Sequence, residues 1–135
     1  MNIEHVTSDG EILAMVFRYA KIEPGVHFYT DDKSVVQVGK QLRKKGEKIK
    51  PHKHMAVPVS REETLQEVLY IEKGKLNVTF YDDNSQKIDT KTLSQGDMIL
   101  LIKGGHGFEA VEETVMIEIK QGPYNPASTK RLEIP

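Results

Sequence analysis

Two histidines separated by one residue, in Pro51-His52-Lys53-His54, are the side chains most suited to chemistry. On a β-strand successive side chains alternate faces, so both imidazoles would point to one side and Lys53 to the other. Two nitrogen donors would then converge on one point, which is how a metal site begins. Taken alone, the pair is equally typical of packed or surface histidines.

A carboxylate on the apolar face of a predicted strand offers a third donor. Glu67 shares its face with Leu69 and Ile71. A carboxylate there is costly unless something satisfies its charge, and a cation would do so. Glu67 could instead cap the strand at the surface, with Glu62 or Glu63 in the site, but the face argument favours Glu67.

His106 is the candidate fourth donor. It follows Gly104-Gly105 and shares its predicted face with Phe108 and Ala110, so it points with an apolar stripe. The alternative, a buried imidazole bonded to a carbonyl group, suits one histidine better than three. The sequence therefore predicts a metal site formed by His52, His54, Glu67 and His106.

The elements that must position these donors are short apolar or alternating runs separated by turn residues, without a long helical period. One helical turn is predicted around Arg61–Leu65, and the tail over 122–135, which has three prolines, is predicted to be an extended arm. The predicted strands span Glu11–Tyr19, Gly25–Tyr29, Ser34–Leu42, Lys48–His54, Glu67–Glu72, Lys75–Tyr81, Gln86–Leu93, Asp97–Ile102, His106–Val111 and Thr114–Lys120.

Length and composition restrict the class of protein. A chain of 135 residues without a long composition break fits a single domain over 1–135. With no apolar run long enough to cross a bilayer and no secretory signal at the start, we expect a cytoplasmic protein without a membrane partner. Zero cysteines leave nitrogen and oxygen as metal donors, and a net charge of −1 gives no bulk attraction to nucleic acid.

About ten short strands in one domain call for a sandwich or a closed barrel, because an open sheet of that size leaves exposed edges. The continuous apolar run Met98–Ile102 and the apolar first strand Glu11–Tyr19 indicate strands covered on both faces. A second subunit could provide that cover, so we expect a homodimer. The protein's own tail could equally cover the run.

These motifs resemble the cupin superfamily. Its first motif is matched by Gly46, His52-Lys53-His54, Glu67 and Gly74, except that Met55–Gln66 insert twelve residues where the family has only a few. Its second motif is similar to Gly96-Asp97 and Gly104-Gly105-His106, without the family's proline and closing asparagine. The resemblance covers residues 46–110.

The resemblance implies an all-β, cupin-like jelly-roll β-barrel (a double-stranded β-helix) with the extended C-terminal arm. It also implies that His52, His54, Glu67 and His106 hold a divalent transition metal. Three imidazoles and one carboxylate suit Fe, Mn, Ni, Co, Cu or Zn better than Ca or Mg. A six-coordinate ion so held would keep two positions for water, substrate or dioxygen.

Three functions remain open, because this superfamily hosts many unrelated activities. The leading hypothesis is a metal-dependent protein that binds or converts a small molecule inside the barrel, as a dioxygenase- or isomerase-type enzyme if it is catalytic. The first alternative is a metal-independent isomerase or epimerase for nucleotide sugars in surface polysaccharide biosynthesis, which would use histidine acid–base chemistry. The second is a non-catalytic sensor of a small ligand.

Two further segments carry secondary hypotheses. The basic stretch Lys40–Lys53 holds seven cations against the single acid Glu47. We favour a solvated edge over a rim that guides an anionic ligand. The insertion Met55–Gln66 could form a lid, although a solvent-exposed loop is the simpler interpretation.

Overall fold

The structure is a computed structural model that describes residues 3–59 and 63–134. The chain forms two compact units. The first unit consists of residues 1–20 together with 64–135, and the second of residues 21–63. All regular structure in the described residues is β, apart from a 3-10 turn at Pro126–Ser128. The ten strands are β1 Ile3–Ser8, β2 Glu11–Phe17, β3 Gly25–Phe28, β4 Gly39–Leu42, β5 Glu67–Lys73, β6 Lys75–Tyr81, β7 Lys87–Ser94, β8 Met98–Leu101, β9 Gly105–Ala110 and β10 Val115–Lys120.

Two antiparallel sheets form the first unit. A five-stranded sheet has the order β1-β2-β8-β5-β10, and a three-stranded sheet has the order β7-β6-β9. Side chains from both sheets join one hydrophobic cluster, to which β2, β5 and β8 contribute Val16, Leu69 and Ile99. The three-stranded sheet contributes Val78 and Phe80 from the strictly alternating strand β6. This shared core fixes which residues of each strand face inward.

A single chain is enough to bury the apolar run of β8. Strand β8 lies in the middle of the five-stranded sheet, hydrogen-bonded to β2 on one side and β5 on the other. Ile99, Leu100 and Leu101 are all buried, as are Leu13 to Phe17 of β2. A second subunit is therefore not needed to cover these two runs.

The second unit contains a two-stranded antiparallel sheet, in which β3 pairs with β4. A turn follows β4, where Glu47 donates its backbone N–H to Lys44 O and accepts the Lys44 N–H on its carboxylate, and Gly46 adopts a φ of +83°. From residue 47 to residue 59 the backbone has no regular secondary structure and every residue is exposed.

The predicted strand Lys48–His54 is wrong. Lys48, Lys50 and Lys53 give this segment no apolar face to bury, and Pro51 has no N–H for a ladder. The prediction Ser34–Leu42 was too long, since only Gly39–Leu42 is a strand. Strand β1 was missed because its composition is mixed, yet Val6 is buried and the strand pairs with β2 along its length.

The all-β class is confirmed. In the described residues, three separate sheets are present and none closes into a barrel. Part of the predicted helical turn, Arg61 and Glu62, lies outside the described residues, and Glu63–Leu65 are irregular. Over the described ranges there is no helix with the length and apolar character needed to span a bilayer. The single-domain assignment stays a prediction.

Candidate functional site

Glu67 occupies the inner face of β5, as its spacing predicts. Leu69 and Ile71 on the same face are 1% and 0% exposed, while Tyr70 and Glu72 on the other face are exposed. The Glu67 side chain itself keeps 21% of its accessible surface. The carboxylate therefore lies at the margin of the core, where a polar or charged partner is needed.

His106 faces the inner side of the three-stranded sheet. It is the cross-strand partner of Phe80 on β6, and Phe108 is the partner of Val78. Directly paired residues share a face, and Phe80 and Val78 are both buried, so the imidazole points with the core side. The His106 ring stacks on Phe108 with centroids 5.2 Å apart and planes at 27°.

The structure brings Glu67 and His106 together. His106 Nε2 lies 3.5 Å from Glu67 Oε2, which is longer than an ordinary hydrogen bond. Two neighbouring donor atoms that each lie about 2.1 Å from one ion are separated by about 3.0 Å around a six-coordinate ion and by about 3.4 Å around a tetrahedral ion. The spacing of this carboxylate and imidazole is therefore suited to sharing one cation.

Burial lowers the pKa of His106 below its ordinary value, while the carboxylates of Glu67 and Glu118 oppose that shift. The side chain keeps 30% of its accessible surface. Burial is the largest cause, and it favours the uncharged ring. An uncharged imidazole has a free lone pair, which is the form required of a metal ligand or a general base.

An open cavity of about 510 Å³ adjoins this pair, with all its walls in the first unit. That volume lies in the range of small-molecule sites. Strands supply Glu67, His106, Phe108, Glu118 and Lys120, and the C-terminal tail supplies Tyr124, Pro126, Thr129 and Arg131.

The sequence interpretation missed the contributions of β10 and the tail to this cavity. Glu118 and Lys120 pair with Leu69 and Glu67 across β5, so both lie on the inner face. The alternation of Ile117 and Ile119 with these charges was the available signal. For Arg131 there was no such signal, because the tail has no periodic pattern.

His52 and His54 lie in the second unit, in the irregular segment. Their rings are 5.3 Å apart at an angle of 70°. His52 Nδ1 is 3.0 Å from Lys50 O, and since a carbonyl oxygen only accepts, Nδ1 carries the hydrogen. In the uncharged ring the lone pair is then on Nε2, and this is the tautomer that second-sphere carbonyl groups impose on metal-binding histidines.

The four predicted donors thus form two close pairs, Glu67 with His106 and His52 with His54. In the described part of the chain, no group of three or more His, Cys, Asp or Glu side chains is spaced to hold a metal ion. Glu62, an alternative third donor, lies outside the described residues, and Glu63 is exposed. The four-donor set stays a prediction. No protein-family model, curated protein or solved structure matches the chain.

Proposed function

We propose that this protein binds a divalent transition-metal ion through His52, His54, Glu67 and His106, and binds or converts a small molecule in the adjoining cavity. The observation that carries the proposal is the 3.5 Å approach of His106 Nε2 to Glu67 Oε2 beside that cavity. A cupin-like jelly-roll arrangement of the strands and a cytoplasmic location are part of the same proposal.

The chemistry of the donors fits such an ion. The Glu67–His106 distance is within about 0.5 Å of the separation of two ligands of one ion, and an uncharged His52 ring with its hydrogen on Nδ1 would coordinate through Nε2. Imidazole with carboxylate is a donor set for Fe, Mn, Ni, Co, Cu or Zn. When bound, such an ion supplies Lewis acidity or activation of dioxygen.

The chain's own residues give this cavity its other properties. Phe108 stacks on His106 and fixes the plane of the ring. Glu118 places a second carboxylate in the wall, where it could accept hydrogen bonds from ligand hydroxyl groups. The C-terminal tail forms one side of the cavity with Tyr124, Pro126, Thr129 and Arg131.

Elemental analysis of protein purified without added metal or chelator tests the proposal. We expect about one transition-metal ion per chain in the unmodified protein. His52→Ala, His54→Ala and His106→Ala should each lose most of it, whereas His27→Ala, whose Nε2 is bonded to Glu23 O, should not. Full metal occupancy in a triple variant at positions 52, 54 and 106 would overturn the proposed ligands.

The close pair of Glu67 and His106 also supports a second function without metal. An uncharged imidazole and a carboxylate that approach from 3.5 Å to hydrogen-bonding distance would form a general base with its orienting carboxylate, as a carbohydrate isomerase or epimerase of surface polysaccharide biosynthesis requires. Metal-free protein that isomerises a nucleotide sugar, and loses that activity in His106→Ala, would favour this alternative. Binding of the ligand without turnover would indicate a sensor.

We also propose a homodimer, on different grounds from the buried runs of β2 and β8. Strand β10 is the edge of the five-stranded sheet, and every one of its residues is exposed. Ile117 and Ile119 pair with Tyr70 and Val68, so these four share the outer face. A second copy presents the same edge and the same apolar patch, and a twofold contact covers both.

A further inference from the structure

We propose that the cavity beside Glu67 and His106 selects small molecules that carry a carboxylate or phosphate group, and that Lys120 and Arg131 hold that group. This inference rests on the proposed function, because it names the ligand class of the same cavity. It assigns the recognition of charge to residues on β10 and on the C-terminal tail.

Lys120 is placed in the cavity by strand pairing. It lies directly opposite Glu67 in the antiparallel pair of β10 and β5, so the two side chains share the inner face. Nevertheless the Lys120 ammonium group forms no ion pair with any residue that the structure describes, Glu67 included. This cation is therefore available to a ligand in the cavity.

Arg131 reaches the same cavity from the tail, and its neighbour anchors it. A Cβ built on Gly105 would lie 2.3 Å from Leu132 Cδ1, so the absence of a side chain at Gly105 makes room for Leu132 on β9. Within residues 3–59 and 63–134 the Arg131 guanidinium also has no ion-pair partner. A guanidinium group binds carboxylate and phosphate in a bidentate manner.

The charges that line the cavity favour an anion. Among the acidic and basic side chains that line the cavity, Glu67 and Glu118 contribute two negative charges, and Lys120 and Arg131 contribute two positive charges. The walls are therefore near neutral by themselves and positive when a divalent cation is bound to Glu67 and His106. An uncharged sugar would leave both cations without a partner, whereas a ligand with one acidic group would satisfy them.

The basic stretch is a competing source of attraction for an anion. Residues 41–50 are all exposed, and Arg43 is already paired with Glu47 at 2.7 Å. Charges of that kind attract an anionic ligand over a long range. At physiological ionic strength, salt screens this attraction at distances beyond roughly 8 Å. Lys120 and Arg131 instead line the cavity walls, so their effect depends on contact and discriminates between ligands.

Four probes test the inference: inorganic phosphate, glucose 6-phosphate, glucuronate and glucose. The last three share a sugar ring and differ in carrying a phosphate, a carboxylate or neither. Affinity is measured from backbone amide shifts in the full-length protein, once in chelator and once after saturation with metal. We expect both anionic sugars to bind at least tenfold more tightly than glucose, with shifts concentrated at residues 118–121 and 129–132.

Substitutions identify the cations. Lys120→Gln and Arg131→Gln should each weaken binding of the anionic sugars at least fivefold and leave binding of glucose unchanged. Lys130→Gln is the matched control, because it removes the same charge from the same tail at an exposed position outside the cavity walls. It should change affinity by less than twofold. Circular dichroism checks that each variant is folded.

The outcomes separate this inference from the metal proposal. Preference for the anionic sugars in chelator, lost in Lys120→Gln and Arg131→Gln, supports anion recognition even if elemental analysis finds no metal. A protein that holds its metal but binds none of the four probes, or binds glucose as tightly as glucose 6-phosphate, overturns anion recognition and leaves the metal site standing. Equal losses in Lys130→Gln and Arg131→Gln also overturn it, since bulk charge would then explain the binding.

Discussion

The Glu67 carboxylate and the His106 imidazole lie 3.5 Å apart although their strands, β5 and β9, belong to different sheets. Leu69, which shares the face of Glu67 on β5, is buried, and so is Phe80, the cross-strand partner of His106. The shared core of the first unit therefore holds the two polar groups together. Their approach is a consequence of packing between sheets.

The first prediction concerns Glu67. In Glu67→Gln the neutral amide keeps the size of the side chain but is a weaker metal donor, so the stabilisation that metal gives to the folded protein should largely disappear. For the unmodified protein, metal at a hundredfold excess over Kd should stabilise by about 2.7 kcal/mol, which raises Tm by several degrees. Scanning calorimetry of the unmodified protein and of Glu67→Gln, each with metal and with chelator, measures these changes in Tm.

Glu72→Gln is the matched control, because Glu72 lies on the exposed outer face of the same strand. It should keep the full metal-dependent rise in Tm. In chelator, Glu67→Gln should unfold within a few degrees of the unmodified protein. An unchanged metal response in Glu67→Gln would remove Glu67 from the ligand set.

The second prediction concerns Asp97, which the sequence singled out only as part of a motif. Its buried carboxylate accepts hydrogen bonds from Arg18 Nη1 at 2.9 Å, Tyr19 N at 3.0 Å and Ser94 N at 2.9 Å. Asp97→Ala leaves the backbone N–H groups of Tyr19 and Ser94 without this acceptor and removes one of the acceptors of Arg18, so it should destabilise the fold by about 3 kcal/mol in urea unfolding. Asp89→Ala, which removes a half-buried ion pair with Lys91, should cost only about 1 kcal/mol, because Lys91 keeps its contact with Glu4.

The pH dependence of stability follows from Glu4, which also binds Arg18. The hydrogen bond from Arg18 lowers the pKa of Glu4 below its ordinary value, partial burial opposes this, and Lys91 adds to it. The unfolded chain therefore takes up a proton at higher pH than the folded chain. This contribution is present above about pH 4.5, the ordinary value, and is lost as the pH falls through the folded pKa.

Urea unfolding of the unmodified protein and Glu4→Gln between pH 7 and pH 3 measures that contribution. The unmodified protein should lose stability more steeply below about pH 4.5, and the two curves should converge at the acid end. Other carboxylates titrate in both proteins and cancel in the comparison. Parallel curves would show that the Glu4–Arg18 contact contributes nothing to stability.

The sequence predicts much of the first unit because apolar residues that become buried alternate with polar residues along its strands. The strand predicted at Lys75–Tyr81 has the same bounds in the structure, since Leu76, Val78 and Phe80 alternate with polar residues. The failure at Lys48–His54 has the opposite cause: His52 and His54 have the spacing of a strand face but nothing apolar to accompany them. A two-residue period is a reliable signal only where one face is buried.

The candidate site was predictable only in part for a similar reason. Glu67 carries its own signal, a charge placed in an apolar stripe. Arg131 carries none, because its position depends on the fit of Leu132 over Gly105, between residues far apart in the chain. Such long-range fits do not appear in a local pattern.

The fourth prediction compares two glycines that match one motif. Gly74, in the β5–β6 turn, has a φ of +93°, and a Cβ there would lie 2.3 Å from the backbone oxygen of Glu113. Gly46 has a similar φ of +83°, with nothing within 4 Å of its Cβ position. Gly74→Ala should therefore cost more than about 2 kcal/mol and Gly46→Ala only about 1 kcal/mol. Equal costs in urea unfolding would mean that the backbone near Glu113 shifts freely.

The fifth prediction tests the dimer at the β10 edge. Ile117 is 44% exposed and Ile119 is 63% exposed, and the strand's outer backbone edge has no neighbouring strand in the described sheet. Light scattering should give about twice the chain mass of 15.3 kDa at micromolar concentration.

The double substitution Ile117→Lys with Ile119→Lys should reduce the measured mass to that of one chain, because two like-charged edges repel and lysine on an edge opposes strand pairing. Lys87→Glu on β7 changes the charge of an exposed residue in the other sheet by the same two units, with opposite sign, and should leave the mass unchanged. A mass near 15.3 kDa for the unmodified protein would rule out the dimer, and a dimer that survives both lysine substitutions would place its interface elsewhere.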